Sequence, residues 1–228
     1  MSLLDALRGG LVVSVQAPPG SPLRDPGHMA AIAAAAAAGG AVAIRAAGAA
    51  DVAAIKSAVD LPVVGLHKRH APDGVLITPS LDDARGVAAA GADAVAVDAT
   101  LRPRSDGRPT AAFLAELDVE LDVPVLADVD DLESGRAAAA AGVAAVATTL
   151  AGYTAGTVPA EPDLELVAAL SAEVGIPVVA EGRYASPAHV SDAFAAGAHA
   201  VVVGAAITDP VALTRRLAGA TPVGGQPA

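Results

Sequence analysis

The chain has 228 residues, with 14 basic against 25 acidic side chains and a formal net charge of −11. A surface that acidic repels phosphate backbones and anionic lipid, which excludes nucleic acids and membrane surfaces as expected partners. The absence of cysteine removes disulfides, thiolate zinc sites and cysteine nucleophiles.

The apolar run at residues 30–38 breaks at Gly39-Gly40, too short to span a bilayer, and Asp5 stands where a signal peptide carries positive charge. A soluble, cytoplasmic protein is therefore expected. In chain order, the first predicted strand is 11–16, rich in valine. Two phrases then alternate. In one, an alanine-rich helical stretch ends at glycine and runs into a β-branched segment, at 39–45, 91–98, 142–148 and 197–204. Glycine just past a helix supplies the left-handed cap, and the apolar run after it reads as a buried strand. In the other, a proline opens a strand, at 62–68, 124–128 and 177–181, a position that needs no ladder donor. Eight strands alternate with helical stretches at a spacing of roughly 25–30 residues, the length of one βα unit. That is the requirement of a (β/α)8 TIM barrel. An open doubly wound sheet has fewer strands and a glycine-rich first turn, whereas Gln16-Ala17-Pro18-Pro19-Gly20 contains no G-x-G-x-x-G. With no long polar linker, residues 1–228 are expected to form one barrel domain with a loose tail from about residue 218.

Barrel enzymes place their chemistry where the strands finish. The predicted strands end at Gln16, Arg45, Lys68, Asp98, Asp128, Thr148 or Thr149, Glu181 and Gly204. Polar ends suit any strand that meets solvent, but a ring of them with mixed charge converges on one cavity. Lys68 stands out because the chain has only one other lysine, Lys56, which falls on an amphipathic helix as a solvated residue. Partial burial can lower a lysine pKa and leave a neutral amine that accepts a proton. Strand seven lies four places from strand three in an eight-membered ring, so Glu181 stands across the mouth from Lys68. Such a pair can remove a proton from one face of a carbon and return one to the other. A salt bridge across the cavity is the alternative reading of the same two residues.

The last two loops carry an anion signal. Gly182 and Arg183 follow strand seven, and Gly204 and Ala205 follow strand eight. Barrels often bind phosphate here, because small residues let backbone N–H groups approach the oxygens. Arg183 would add a charge-assisted contact. The cluster His67-Lys68-Arg69-His70 does not read as a metal site, since strand alternation points His67 and Lys68 oppositely and His70 falls in a loop. His28, His189 and His199 read as helix-surface or loop residues. Arg102-Pro103-Arg104 makes a stiff basic loop, either a rim or lid or merely solvated. Tyr153, in Gly152-Tyr153-Thr154, could close over a substrate or serve packing or a turn.

At these residues the sequence resembles the N-acetylmannosamine-6-phosphate 2-epimerases of sialic acid catabolism. The resemblance runs nearly end to end, through Val13-Ser14-Val15-Gln16, Ala41-Val42-Ala43-Ile44-Arg45, Lys68-Arg69, Arg102-Pro103-Arg104, Thr148-Thr149-Leu150-Ala151-Gly152-Tyr153-Thr154 and Ala180-Glu181-Gly182-Arg183-Tyr184. It implies a (β/α)8 fold, no metal or organic cofactor, and interconversion of N-acetylmannosamine 6-phosphate with N-acetylglucosamine 6-phosphate. It also implies catalytic roles for Lys68 and Glu181 and substrate-positioning roles for Gln16, Arg45 and Asp128. The sequence departs from the family where His70 replaces an acid, where Ala99 replaces a glycine, and in the loop 69–74. These departures bear on selectivity and leave the proton-transfer pair intact.

The expected partner is thus a phosphorylated N-acetylhexosamine, inverted at carbon 2 by proton exchange between Lys68 and Glu181. Arg45 and Gln16 would stabilise developing negative charge or hold the N-acetyl group. Asp128 would orient sugar hydroxyls or tune Lys68. Two rivals remain at this stage: another phosphosugar barrel enzyme (a ketose-phosphate epimerase or an aldolase), and a barrel that senses a phosphosugar without turning it over. The alanine-rich outer helices are suited to close pairing, which admits a homodimer.

Overall fold

A computed structural model describes residues 2–71, 74–154 and 156–222. Eight parallel strands close into a barrel: β1 (Leu11–Val15), β2 (Ala43–Ala47), β3 (Val63–Leu66), β6 (Ala94–Asp98), β7 (Val125–Asp128), β8 (Ala145–Ala147), β9 (Val178–Glu181) and β10 (Ala200–Val203). β10 pairs with β1 to complete the ring. The eight strands expected from the sequence are these eight. Each strand-opening proline proves useful to its neighbour: the carbonyls of Pro62, Pro124 and Pro177 accept from the N–H groups of Ile44, Val95 and Val146. Losing a donor there costs the ladder nothing, because the proline's acceptor is retained.

Helices α1 (Leu3–Leu7), α2 (Pro26–Ala38), α3 (Ala49–Ala58), α4 (Leu81–Ala89), α5 (Thr110–Glu120), α6 (Leu132–Ala140), α7 (Leu164–Glu173), α8 (Pro187–Ala195), α9 (Ala205–Thr208) and α10 (Pro210–Ala218) alternate with the strands. Their starts are written locally. Asp25-Pro26, Ser186-Pro187 and Asp209-Pro210 each place a side-chain acceptor at the N-cap and a proline in the first turn. The short α1 plugs the floor, where Leu7 packs with Val12, Ala43 and Ala200. The tail expected to be loose from about residue 218 is helical to Ala218 and turns through Thr221, whose N–H donates to the carbonyl of Ala218. Residues 223–228 lie outside the described residues.

The period-2 alternation of strands decides which side chains reach the mouth. Val64, Leu66, Ala94, Ala96, Leu126 and Ala145 pack together inside the barrel, and Val12, Ala43, Ala147, Val179, Ala200 and Val202 form a second inner cluster. Their neighbours of opposite parity, such as Val13, Ile44, Val95, Ala127, Val146 and Ala180, pack outward against the helices. Continuing the inner parity upward gives Gln16, Arg45, Lys68, Asp98, Asp128, Thr149, Glu181 and Gly204. The fold therefore settles Thr149, not Thr148, as the inward residue of its pair.

Three local expectations need correction. Arg45 is not the last residue of its strand: β2 continues through Ala46 and Ala47, and Arg45 is buried inside the barrel. Lys68 stands two residues beyond β3 and opens an antiparallel hairpin, β4 (Lys68–Ala71) with β5 (Gly74–Ile77), so His70 belongs to a strand and not to a loop. Lys56 is no freely solvated residue: it pairs with Asp93 at 2.8 Å, and the same carboxylate accepts from the Val63 N–H. That contact ties α3 to the start of β3.

Candidate active site

A cavity of about 630 Å³ opens at the C-terminal end of the barrel, lined among others by Gln16, Arg45, Lys68, Tyr153, Glu181 and Gly204. At its base lies a charged cluster. Arg45 Nη2 donates to Asp128 Oδ2 at 2.6 Å, and Nη1 pairs with Glu181 Oε2 at 3.0 Å. Thr149 Oγ1 stands 2.5 Å from Asp128 Oδ1 and 3.1 Å from Glu181 Oε2. Thr148, facing the other way, clasps the Glu181 backbone by donating to its carbonyl and accepting its N–H. A protonated Glu181 can thus hydrogen-bond to Thr149 while Thr149 donates to Asp128.

Asp128 is wholly buried, and both its oxygens are occupied. Of the two roles open to it, this position suits electrostatic tuning of the cluster rather than contact with sugar hydroxyls. The Lys68 amine faces the cavity and makes no hydrogen bond or ion pair among the described residues. The direct Lys68–Glu181 salt bridge is not formed, because Glu181 is held by Arg45.

Electrostatics moves the two residues toward each other. Desolvation within the walls, then the Arg45 guanidinium, hold the Lys68 ammonium below its usual range, although Glu181 and Asp128 pull the other way. Burial raises the Glu181 carboxyl above its usual range; Asp128 adds to this, and Arg45 opposes it. Opposite shifts in two groups across one cavity are what a proton donor and acceptor need.

The rim holds the remaining candidates. Gly182 has φ +108, a left-handed conformation that lets the chain turn just beyond Glu181. The N–H groups of Gly182, Ala205 and Ala206 are spent on no partner among the described residues. Arg183 lines the same wall but commits Nε to the carbonyl of Glu161 and Nη1 to that of Ala151, and it lies against the Tyr153 ring. It therefore ties together the loops after β8 and β9, with Nη2 uncommitted among the described residues. Tyr153 is half exposed beside it. Gln16 donates its amide to Ser14 Oγ at 2.8 Å, while its buried carbonyl oxygen has no partner.

Two further cations reach this mouth: Arg102, which the sequence offered as a rim or solvated residue, and Arg216, which sequence reasoning missed. Arg102 lines it while pairing with Asp98 at 2.6 Å. Arg216 lines it from α10 with no partner among the described residues. Arg104 is instead structural, stacked 3.6 Å over Phe113 and donating to the carbonyl of Pro79. No strand-end rule reaches a residue on the last helix, whereas the parity rule alone would have found Thr149.

The family described as "Putative N-acetylmannosamine-6-phosphate epimerase" matches residues 29–222. The chain belongs to the N-acetylmannosamine-6-phosphate epimerase family. A relative from Cutibacterium acnes, named "Putative N-acetylmannosamine-6-phosphate 2-epimerase", is 48% identical over 93% of each chain. One of the same name from Caldanaerobacter subterraneus is 43% identical, covering 95% of this chain and 92% of its own. Among solved structures, the N-acetylmannosamine-6-phosphate 2-epimerase of Clostridium perfringens superposes with a TM-score of 0.90 at 36% identity, covering 95% of both chains. A thiamine phosphate pyrophosphorylase from Pyrococcus furiosus, at 18% identity and a TM-score of 0.58, shares the fold alone. Within the described residues of this epimerase-family chain, no helix is long and apolar enough to cross a membrane.

Proposed function

We propose that this protein is a cytoplasmic isomerase that interconverts N-acetylmannosamine 6-phosphate and N-acetylglucosamine 6-phosphate at carbon 2, with Lys68 and Glu181 as the two proton carriers. One observation carries the mechanism: a lysine amine unpaired among the described residues faces a cavity whose base is a glutamate held by Arg45 and Thr149. In the open-chain sugar, carbon 2 is adjacent to the aldehyde. The neutral Lys68 amine takes the carbon-bound proton, and the C–H electron pair moves into the carbonyl to give an enolate that still carries the acetamido group on carbon 2. The protonated Glu181 then gives a proton to the opposite face. Lys68 ends as ammonium and Glu181 as carboxylate, the state the reverse reaction requires.

Arg45 lies at the base of the cavity, where a fixed positive charge favours the developing oxyanion. The unpartnered Gln16 carbonyl oxygen suits the acetamido N–H of the substrate. The free N–H groups of Gly182 and Ala205, with Gly204 between strand and helix, would receive the phosphate, joined by Arg216 and the remaining donor of Arg183. Tyr153 would close the rim. Phosphate binding remote from carbon 2 then positions the reacting carbon.

Proton NMR of the purified protein with N-acetylmannosamine 6-phosphate in deuterated water tests this. The product should carry deuterium at carbon 2. Product formed without deuterium would overturn proton exchange, and no product at all would favour a sensor. Covalent trapping of Lys68 by borohydride would point to a Schiff base instead.

A further inference from the structure

Thr78 adopts φ +47 and is wholly buried. A β-branched residue in the left-handed region is a conformational outlier, and such outliers gather at functional sites. Two neighbours explain its position. Pro79 follows it and disfavours a right-handed helical backbone at Thr78. More important is what the strained geometry aligns. The Thr78 N–H donates to the His67 carbonyl at 2.6 Å, Thr78 Oγ1 accepts the His67 N–H at 3.0 Å, and the same hydroxyl donates to the Ala96 carbonyl at 2.7 Å.

Thr78 therefore closes the hairpin at its base and fastens it to β6. Lys68 is the next residue after His67 and pairs with Ile77, the residue before Thr78. On its other side, Arg69 forks onto Asp83 Oδ1 at 2.8 and 3.2 Å, and Asp83 also accepts from Ser80. The backbone of Lys68 is held from both sides, while its amine makes no hydrogen bond or ion pair among the described residues.

We infer that Thr78 is a positioning residue for proton transfer: its hydroxyl clasp on His67 and Ala96 fixes where the Lys68 amine stands over the mouth. Without it the hairpin could pivot on Arg69–Asp83 and carry the amine away from Arg45 on β2, Asp128 on β7 and Glu181 on β9. The inference rests on reading Lys68 as a proton carrier. Misplacing a reacting group by about 1 Å costs up to roughly a hundredfold in rate.

The test compares Thr78→Val, which keeps the shape but lacks the hydroxyl, Thr78→Gly, which accepts the left-handed backbone without strain, and Thr78→Ser, which restores the hydroxyl. Each is measured for kcat, KM, pH–rate profile and thermal unfolding. Thr78→Val and Thr78→Gly should lose at least about tenfold in kcat with KM within about threefold. Their alkaline limb should move up toward an ordinary lysine as the amine leaves Arg45 for solvent. Thr78→Ser should recover both. Thr78→Gly keeps the test open should Thr78→Val fail to fold. Folded Val and Gly variants with unchanged kcat and alkaline limb would overturn the inference, as would a Ser variant as impaired as Val. Lys68→Met, run alongside, separates the two readings. If it stays active, the proton-carrier reading fails; if it is inactive while Thr78→Gly is unaffected, only the role of Thr78 fails.

Discussion

Glu181→Gln offers the most discriminating test of two-sided proton transfer. The amide keeps the side chain's shape and can still accept from Thr149, but it cannot exchange a proton. Arg45 loses a charged partner at 3.0 Å while retaining Asp128 at 2.6 Å. The stability lost is that of one charge-assisted hydrogen bond, about 1.5–3 kcal/mol. That corresponds to a drop of roughly 3–12 °C in Tm for a chain of this size, so a folded enzyme remains to assay. The chemical cost is larger: losing a general acid or base removes about 10²–10⁴ in kcat, or about 2.7–5.4 kcal/mol of barrier. The assay is hydrogen–deuterium exchange at carbon 2, followed by NMR from each epimer separately. Glu181→Gln should wash deuterium into the epimer that presents its proton to Lys68 while forming almost no product. Lys68→Met should show the mirrored preference, with ligand affinity roughly kept. If one variant abolished exchange in both epimers and the other spared it, a single residue would serve both faces. Equal residual exchange of both epimers in both variants would refute the two-base mechanism.

Other outcomes follow from the same geometry. On the proposed mechanism the active enzyme holds one transferable proton on the Lys68–Glu181 pair in either direction, so the pH–rate profile should be a bell. Its acid limb should lie above an ordinary glutamate pKa and its alkaline limb below an ordinary lysine pKa, as the two shifts require; limbs at unshifted values would contradict the burial argument. Arg45→Met leaves two buried carboxylates facing each other, which should cost about 3–5 kcal/mol near pH 8 by urea unfolding. Their folded-state pKa values would then rise above the unfolded ones, so the penalty should shrink as the pH falls and they take up a proton. A penalty independent of pH would mean that charge is not its cause. At the phosphate end, Arg216→Ala should raise KM several-fold with kcat retained. Gly204→Val should do the same where Gly204→Ala is mild, because a Cβ there meets Ser14 Cβ at an ordinary 3.4 Å and only further branching intrudes. Non-phosphorylated N-acetylmannosamine should bind poorly to the wild type; equal binding would displace the phosphate from these loops.

The barrel was legible because its local signals agree: capping side chains start the helices, glycines end them, and β-branched runs follow. The site was legible because period 2 carries each inner face toward the mouth, where Gln16 and Glu181 line the cavity while Asp98 and Asp128 end their strands behind it. What escaped depends on contacts between distant segments. The commitments of Arg183 require the carbonyls of Ala151 and Glu161, and Arg216 reaches the cavity only through the packing of α10. The hairpin carrying Lys68 did have a local signature, the turn-forming run Pro72-Asp73-Gly74 in the sequence. Reading strand three as continuous through Lys68 concealed it. Lys68 nevertheless keeps the inner parity, because the break at His67 changes the pairing partner and not the face.

On the proposed mechanism, the buried Asp128 lets Glu181 be held by an arginine and still exchange a proton. Arg45 faces two carboxylates and pairs more closely with Asp128, 2.6 Å against 3.0 Å. Asp128 thereby takes up part of the arginine's field, and its own charge raises the proton affinity of Glu181 further. The same negative charge favours the ammonium form of Lys68. Asp128→Asn removes that charge while retaining an oxygen for Arg45. Glu181 should then become a stronger acid and Lys68 a weaker base, so both limbs of the pH–rate bell should move to lower pH, by roughly one unit as for the loss of one nearby charge. A sugar-binding role for Asp128 predicts a different pattern, with KM raised and the limbs in place. If the limbs moved apart or stayed fixed while KM rose, Asp128 would be a substrate ligand and not the group that tunes the pair.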